Sequence, residues 1–223
     1  MFIIICQDVI EKAINRNDSD NKDAIEALKK VLLAVLWRKH VVFVPGLSEE
    51  DIQKLEKELT SKEIKLLDYV FSERQNSLSL KDKLSIYAQI TFNESIHKDA
   101  QIIYINPKTV SNFELYEETH LIVENILDSV FYSKAICSYY QRKHRLHTDC
   151  YTIAFYPVQG GGTTISEVLK YEMKISQHFC LVIGDSDKKC ADYKNEGDTA
   201  KGIRNVVKEY EKNHGKLPFI DYY

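Results

Sequence analysis

Apolar residues return every three or four positions between Asp23 and Arg38, at Ala24, Ala27, Leu28, Val31, Leu32, Val35 and Leu36. That spacing gathers them on one face and predicts an amphipathic helix. His40-Val-Val-Phe-Val-Pro-Gly46 then reads as a buried strand stopped by its Pro-Gly pair. Ser48 is placed to cap a following helix, with Glu49, Glu50 and Asp51 in the first turn, where the helix dipole favours carboxylates. Helices are predicted over residues 49–59 and 61–74, and the polar residues 75–83 fit either a linker or a helix start. Residues 1–100 therefore predict a mainly helical N-terminal region with at least one strand, and no motif in it carries recognisable chemistry.

The rhythm changes after residue 100. Strand-like runs at 101–105, 120–123, 151–158 and 179–183 alternate with helical spacing at 128–141, 164–175 and 198–212, and residues 217–223 read as the start of a further strand. Such alternation predicts βαβ units and a mostly parallel sheet flanked by helices. The crossover spacing of about thirty residues suits those units. The expected class is α/β, with a Rossmann-like sheet over 101–223.

Composition narrows this picture without redrawing it. An apolar share of 44% and a charged share of 28% over 223 residues fit a soluble globular chain of one large or two small domains. The net charge of −3 supplies no global positive field, so a nucleic-acid contact would need a local basic patch or metal ions. The five cysteines, Cys6, Cys137, Cys150, Cys180 and Cys190, are odd in number and include no Cys-x-x-Cys pair. A disulfide framework is therefore disfavoured and a reducing, cytoplasmic setting is expected. The apolar start, residues 1–6, is short and lacks a basic flank, so it does not read as a signal peptide. The strongly apolar run 31–37 is far too short to span a bilayer, and no membrane partner is expected.

Function in an open parallel sheet gathers at the carboxyl ends of its strands. Three features fall there. Glu124 follows the strand Leu121-Ile-Val123, with Asp128 in the opening turn of the next helix. Gly160, Gly161 and Gly162 follow the second strand, and Asp185-Ser-Asp187 follows Phe179-Cys-Leu-Val-Ile183 and Gly184. Two carboxylates splayed from one strand end repel each other, and a hard cation with oxygen ligands relieves that repulsion. The plainer reading is a solvated turn for the acidic pair, and helix capping for Glu124 and Asp128.

In this order, with a glycine loop between the acidic motifs, the pattern resembles the Toprim domain of topoisomerases, bacterial primases and OLD-type nucleases. Leu121-Ile-Val-Glu124-Asn-Ile-Leu-Asp128, followed by Phe131-Tyr132, is similar to its glutamate motif. Val182-Ile-Gly-Asp185-Ser-Asp187 is similar to its Asp-x-Asp motif. Asn125 stands where the family usually has glycine, and the chain stops near Tyr223, where a further strand and active-site residues would be expected. The resemblance covers about residues 101–223. It implies a Toprim-like fold, Mg²⁺ or Mn²⁺ on Asp185 and Asp187, and Glu124 as a second ligand or general acid–base group. It further implies that Asp128 assists through water, and that the activity is nuclease cleavage of DNA more than RNA, in branches tied to bacterial anti-phage defence. The alternatives are a non-catalytic module docking to a partner protein, a nucleic acid or a second copy, and a phosphatase using Asp185 as nucleophile.

Secondary candidates sit around these motifs. The glycine run precedes a helix, and Thr164-x-x-Glu167 spells a capping box, so the loop reads either as a phosphate cradle or as a tight turn. No Gly-x-x-x-x-Gly-Lys-Ser/Thr and no Gly-x-Gly-x-x-Gly occurs. Arg142 and Lys143, within Tyr139-Tyr-Gln-Arg-Lys-His-Arg145, offer cations beside aromatics for a phosphate backbone, or simply suit a helix C-terminus. Lys188 and Lys189 offer phosphate contacts or plain surface charge. His144, His147 and Cys150 have zinc-like spacing but no fourth ligand nearby.

Overall fold

The computed structural model describes residues 1–84, 86–95, 97–99, 101–110, 115, 117–144, 155–175, 179–185, 197–214 and 220–222. The chain forms two units, Met1–Glu117 and Glu118–Tyr223, each built on its own sheet.

Four consecutive apolar residues open the first unit as β1 (Phe2–Ile5), buried along its whole length. Burial on both faces removes the alternation that marks a half-exposed strand. β1 leads into α1 (Gln7–Ile14), α2 (Asn21–Leu36) and β2 (Val41–Phe43). Then come α3 (Glu49–Leu55), α4 (Ser61–Ser72), α5 (Arg74–Lys81) and β3 (Tyr87–Ile90). β4 (His97–Asp99), β5 (Ile102–Ile105) and α6 (Pro107–Val110) complete the unit. The sheet order is β2-β1-β3-β5-β4, parallel except for β4 against β5. The first unit is thus an α/β sheet in its own right, richer in strands than its helical spacing predicted. The strand at 101–105, grouped in sequence with the second half, pairs residue for residue with β3 and belongs to the first sheet.

Local chemistry explains the helix starts. Ser48 Oγ accepts the Asp51 N–H, and the Asp51 carboxylate accepts the Ser48 N–H, so the expected cap of α3 is reciprocal. Thr60 and Glu63 repeat the device at α4. The polar stretch after residue 74 continues as α5, because Ser77 and Leu80 turn one face inward.

The second unit runs β6 (His120–Val123), α7 (Ile126–His144), β7 (Tyr156–Gln159), a 3-10 turn at Gly162–Thr164, α8 (Ile165–Ile175), β8 (Cys180–Ile183), α9 (Asp198–His214) and β9 (Ile220–Tyr222). Its order is β7-β6-β8-β9, with all pairs parallel. Ile122, Cys180 and Val182 form the sheet side of a core closed by Ile165, Leu169 and Met173 of α8 and Ile203 and Val207 of α9. The inner spacing 165, 169, 173 is the helical period, matched to the two-residue period of the strands. β7 starts later than the strand expected at 151–158, whose residues 151–154 lie outside the described set. It is the outer strand of the described sheet, with Pro157 opposite Leu121. No helix among the described residues is long and apolar enough to cross a membrane.

Candidate functional site

The parallel register decides what shares a rim. His120 pairs with Tyr156 and Cys180, and Val123 with Gln159 and Ile183, so the three strands end level. Glu124, Gly160 and Gly184-Asp185 therefore leave the same carboxyl edge. Glu124 and Asp185 are 61 residues apart, yet the Asp185 N–H donates to Glu124 Oε1 over 2.9 Å. Glu124 is half-buried and Asp185 exposed.

Gly184 lets α9 pack close behind the turn that carries Asp185. A Cβ there would lie 2.7 Å from Ile203 Cδ1 and 3.3 Å from Thr199 Cγ2 on α9, and 3.9 Å from Glu124 Oε1. A side chain there would crowd Ile203 and Thr199 of α9 and only touch the Glu124 carboxylate at ordinary contact distance.

The glycine loop serves Glu124 from the other side. Gly160 N–H donates to Val123 O at 2.6 Å, and Gly161 N–H donates to Glu124 O at 2.9 Å. Two of the amides expected to cradle a phosphate are thus already bonded, and the tight-turn reading holds for them. Gly160 is buried, and a Cβ on it would come 2.4 Å from Ile165 Cγ1. Gly161 and Gly162 take φ of +71° and +51°, a region that favours glycine. The expected Thr164 cap is reversed: its hydroxyl donates toward Gly160 O and Gly161 O, at 2.6 and 2.8 Å, and the 3-10 turn supplies the entry to α8.

Asp128 performs the local role weighed against chemistry. Its Oδ2 accepts the Asn125 N–H at 3.1 Å, while Asn125 Oδ1 accepts the Leu127 N–H at 3.0 Å. Asn125 has no positive φ, and its side chain caps α7. One turn on, Tyr132 joins the group. Partial burial first, and then the charges of Asp128, Asp185 and Glu124, raise its phenol above the usual tyrosine range. Tyr132 thus holds its proton more tightly in this acidic neighbourhood. Its signal in sequence is the position four residues after Asp128, one helical turn along the same face.

Several expected participants lie elsewhere. α7 rises about 1.5 Å per residue, so Arg142 and Lys143 stand about 20 Å or more along the helix from Asp128. Lys143 Nζ donates to Tyr139 Oη at 2.6 Å, so the basic cluster is a helix end and not part of the rim. Asp187, Lys188, Lys189, His147 and Cys150 lie outside the described residues, as does the side chain of His144.

Among the described residues, one set of three metal-ligating side chains has donor atoms within 4.8 Å of one another: His120, Glu172 and Cys180. Glu124, Asp128 and Asp185 do not close to that degree. They form an acidic rim in which Glu124 and Asp185 are hydrogen-bonded neighbours and Asp128 turns back on its own helix. No family model, curated protein or solved structure matches the chain.

Proposed function

We propose that the second unit is a Toprim-like, metal-dependent nuclease domain, with Glu124, Asp185 and Asp187 as its cation-binding carboxylates. The observation that carries this reading is the bond from the Asp185 N–H to Glu124 Oε1, which brings two distant acidic motifs to one sheet rim. The order of the motifs along the chain, first strand and third strand of a parallel sheet, supports it as well.

The donor set fits the ion. An exposed aspartate and a half-buried glutamate offer oxygen alone, the chemistry of a hard divalent cation such as Mg²⁺ or Mn²⁺. Such an ion, when bound, offsets charge on the oxygens of a phosphodiester in displacement at phosphorus. The chain's own residues supply the rest. Gly160 and Gly161 hold the backbone at Val123 and Glu124, and Gly184 lets α9 pack close behind Asp185. Asp128 fixes the start of α7 and so the aim of Tyr132. The Tyr132 phenol keeps its proton at neutral pH and is a donor to a substrate oxygen or water. We place the activity on DNA before RNA, and in bacterial anti-phage defence, by the resemblance alone.

The test is cleavage of DNA and RNA with Mg²⁺ or Mn²⁺, in the wild type and in Asp185→Ala and Glu124→Ala. Loss of metal-dependent cutting in both variants is the expected result. Cutting at the wild-type rate in both would remove the mechanism.

One observation favours a second reading, a binding module without catalysis. Glu124 Oε1 already accepts a backbone N–H, and the described carboxylates do not surround a common point. Calorimetry separates the two: a non-catalytic module shows no Mn²⁺ binding that depends on Asp185 and Asp187.

A further inference from the structure

The opposite end of the second sheet carries a different set of donors. We propose that His120, Glu172 and Cys180 form a second cation site, selective for a borderline-soft divalent transition ion such as Zn²⁺. It stands independently of the nuclease reading, since none of its residues belongs to the acidic rim.

Three elements build it. His120 opens β6 and Cys180 opens β8, and the parallel register sets them directly side by side. Neighbouring strands lie about 4.8 Å apart, close enough for one ion to bridge their side chains. Both residues fall on the sheet face that packs against α8, since Ile122 and Val182, two positions on, line the core there. α8 begins at the carboxyl edge and runs back, so its last turns reach the amino edge. Glu172 arrives there one residue before the core residue Met173. The result is a nitrogen, an oxygen and a sulfur donor all within 4.8 Å of one another.

The distances suit a small ion. Zn–N and Zn–O bonds of about 2.0–2.1 Å and Zn–S of about 2.3 Å put tetrahedral ligand atoms about 3.3–3.6 Å apart. His120 Nδ1 and Glu172 Oε2 are 2.9 Å apart, so this edge opens by about half an ångström when an ion enters. The side chains of His120 and Glu172 are each 13% exposed, and Cys180 is buried. Tyr156 packs its ring 5.0 Å from the imidazole and limits how the ring turns. A three-donor site with a fourth position for water forms as the ion replaces the His120–Glu172 hydrogen bond and the Cys180 sulfur settles at about 3.6 Å from the other two donors.

Donor chemistry sets selectivity. A thiolate and an imidazole favour zinc or cobalt, whereas Mg²⁺ and Mn²⁺ prefer oxygen. The two poles of one sheet, about four residues of strand apart, thus select different classes of ion. An ion at the amino pole ties α8 to β6 and β8, and it stabilises the fold because the unfolded chain lacks the site.

The experiment is Co²⁺ titration of the full chain after chelator treatment, read by the near-ultraviolet thiolate-to-cobalt charge-transfer band and the visible ligand-field bands. The expected result is a band saturating at one equivalent, unchanged by excess Mg²⁺, abolished by Zn²⁺, and absent in Cys180→Ser. His120→Gln and Glu172→Gln lower Co²⁺ affinity by at least the roughly 10–100-fold that loss of an outer-shell partner costs. No sulfur band in the folded wild type would overturn the proposal, and so would a band surviving Cys180→Ser, which puts the metal on another thiol. Circular dichroism checks the fold of each variant. Should Cys180→Ser not fold, Glu172→Gln decides: wild-type Co²⁺ affinity in that variant rejects the site.

Discussion

Glu124 and Asp185 are joined by a backbone-to-carboxylate hydrogen bond of 2.9 Å, although they close different strands. Glu124→Gln keeps an oxygen acceptor for the Asp185 N–H and removes only the charge. The expected outcome is a folded protein, its stability within about 1 kcal/mol of wild type, with cleavage lower by about a hundredfold or more. Urea melts and a Mn²⁺-dependent cleavage assay check the two halves. Activity retained in Glu124→Gln would mean that the carboxylate only props the β8 turn.

Asp128 offers a sharper separation of structure from chemistry. Asp128→Ala loses the acceptor for the Asn125 N–H and costs about 1 kcal/mol of stability. Asp128→Asn retains that acceptor and should melt close to wild type. Its cleavage rate is expected to fall by about tenfold or more, because the carboxylate that the resemblance sets beside a metal-bound water has lost its charge. Equal rates in Asp128→Asn and wild type would assign the residue to capping alone.

The turn glycines are predicted to differ in cost. A Cβ at Gly160 meets Ile165 at its side chain and also at Cα, 3.1 Å away, so backbone must move. Gly160→Ala is expected to cost about 1–3 kcal/mol. At Gly184 the nearest atom is the tip of Ile203, which can rotate, and Gly184→Ala should cost less than about 1 kcal/mol. Thermal denaturation of both variants gives the order, and the reverse order would contradict this packing.

Stability near neutral pH should carry the mark of His40 in the first unit. Burial holds its imidazole well below the ordinary value of 6.5. The unfolded chain takes up a proton near pH 6.5 and the folded chain does not, so the unfolded state binds more protons below that value. The His40 contribution is complete above about pH 6.5 and is lost as the pH drops toward the folded value, by up to about 1.4 kcal/mol per unit. The buried Met1 amino group beside it, lowered to about 5, adds a slope of the same sign that begins near pH 8. Urea unfolding between pH 7.5 and 5.5 measures the slope. His40→Gln should lower the slope below pH 6.5 and leave the Met1 part above it, and an unchanged slope would place the titration elsewhere.

The second sheet was legible because each of its inner strands is a short apolar run ending in an acid or a glycine. His120–Val123 and Cys180–Ile183 fall where the pattern put them. The first sheet was harder to see. β1 is apolar at every position and sits at the start of the chain, where periodicity does not separate a buried strand from other short apolar runs. β3 hides because only Ala88 and Ile90 turn inward. Within the site, the acidic positions were readable from their place after strands. The partners of the glycine amides were not, since Val123 O and Glu124 O belong to the end of a neighbouring strand and the residue after it. The His120, Glu172 and Cys180 cluster left no spacing signature at all. Its members come from two strands and a helix, and only the register unites them.

Pro157 bears on strand pairing at the outer edge of the described second sheet. Tyr156 N–H and Gly160 N–H both donate inward to the β6 segment, so the alternate nitrogens of β7, at residues 157 and 159, face outward. The first of these belongs to proline and has no hydrogen to give. An incoming strand from another molecule would find a gap at the middle of the rung pattern, which disfavours fibre-like stacking along this flank.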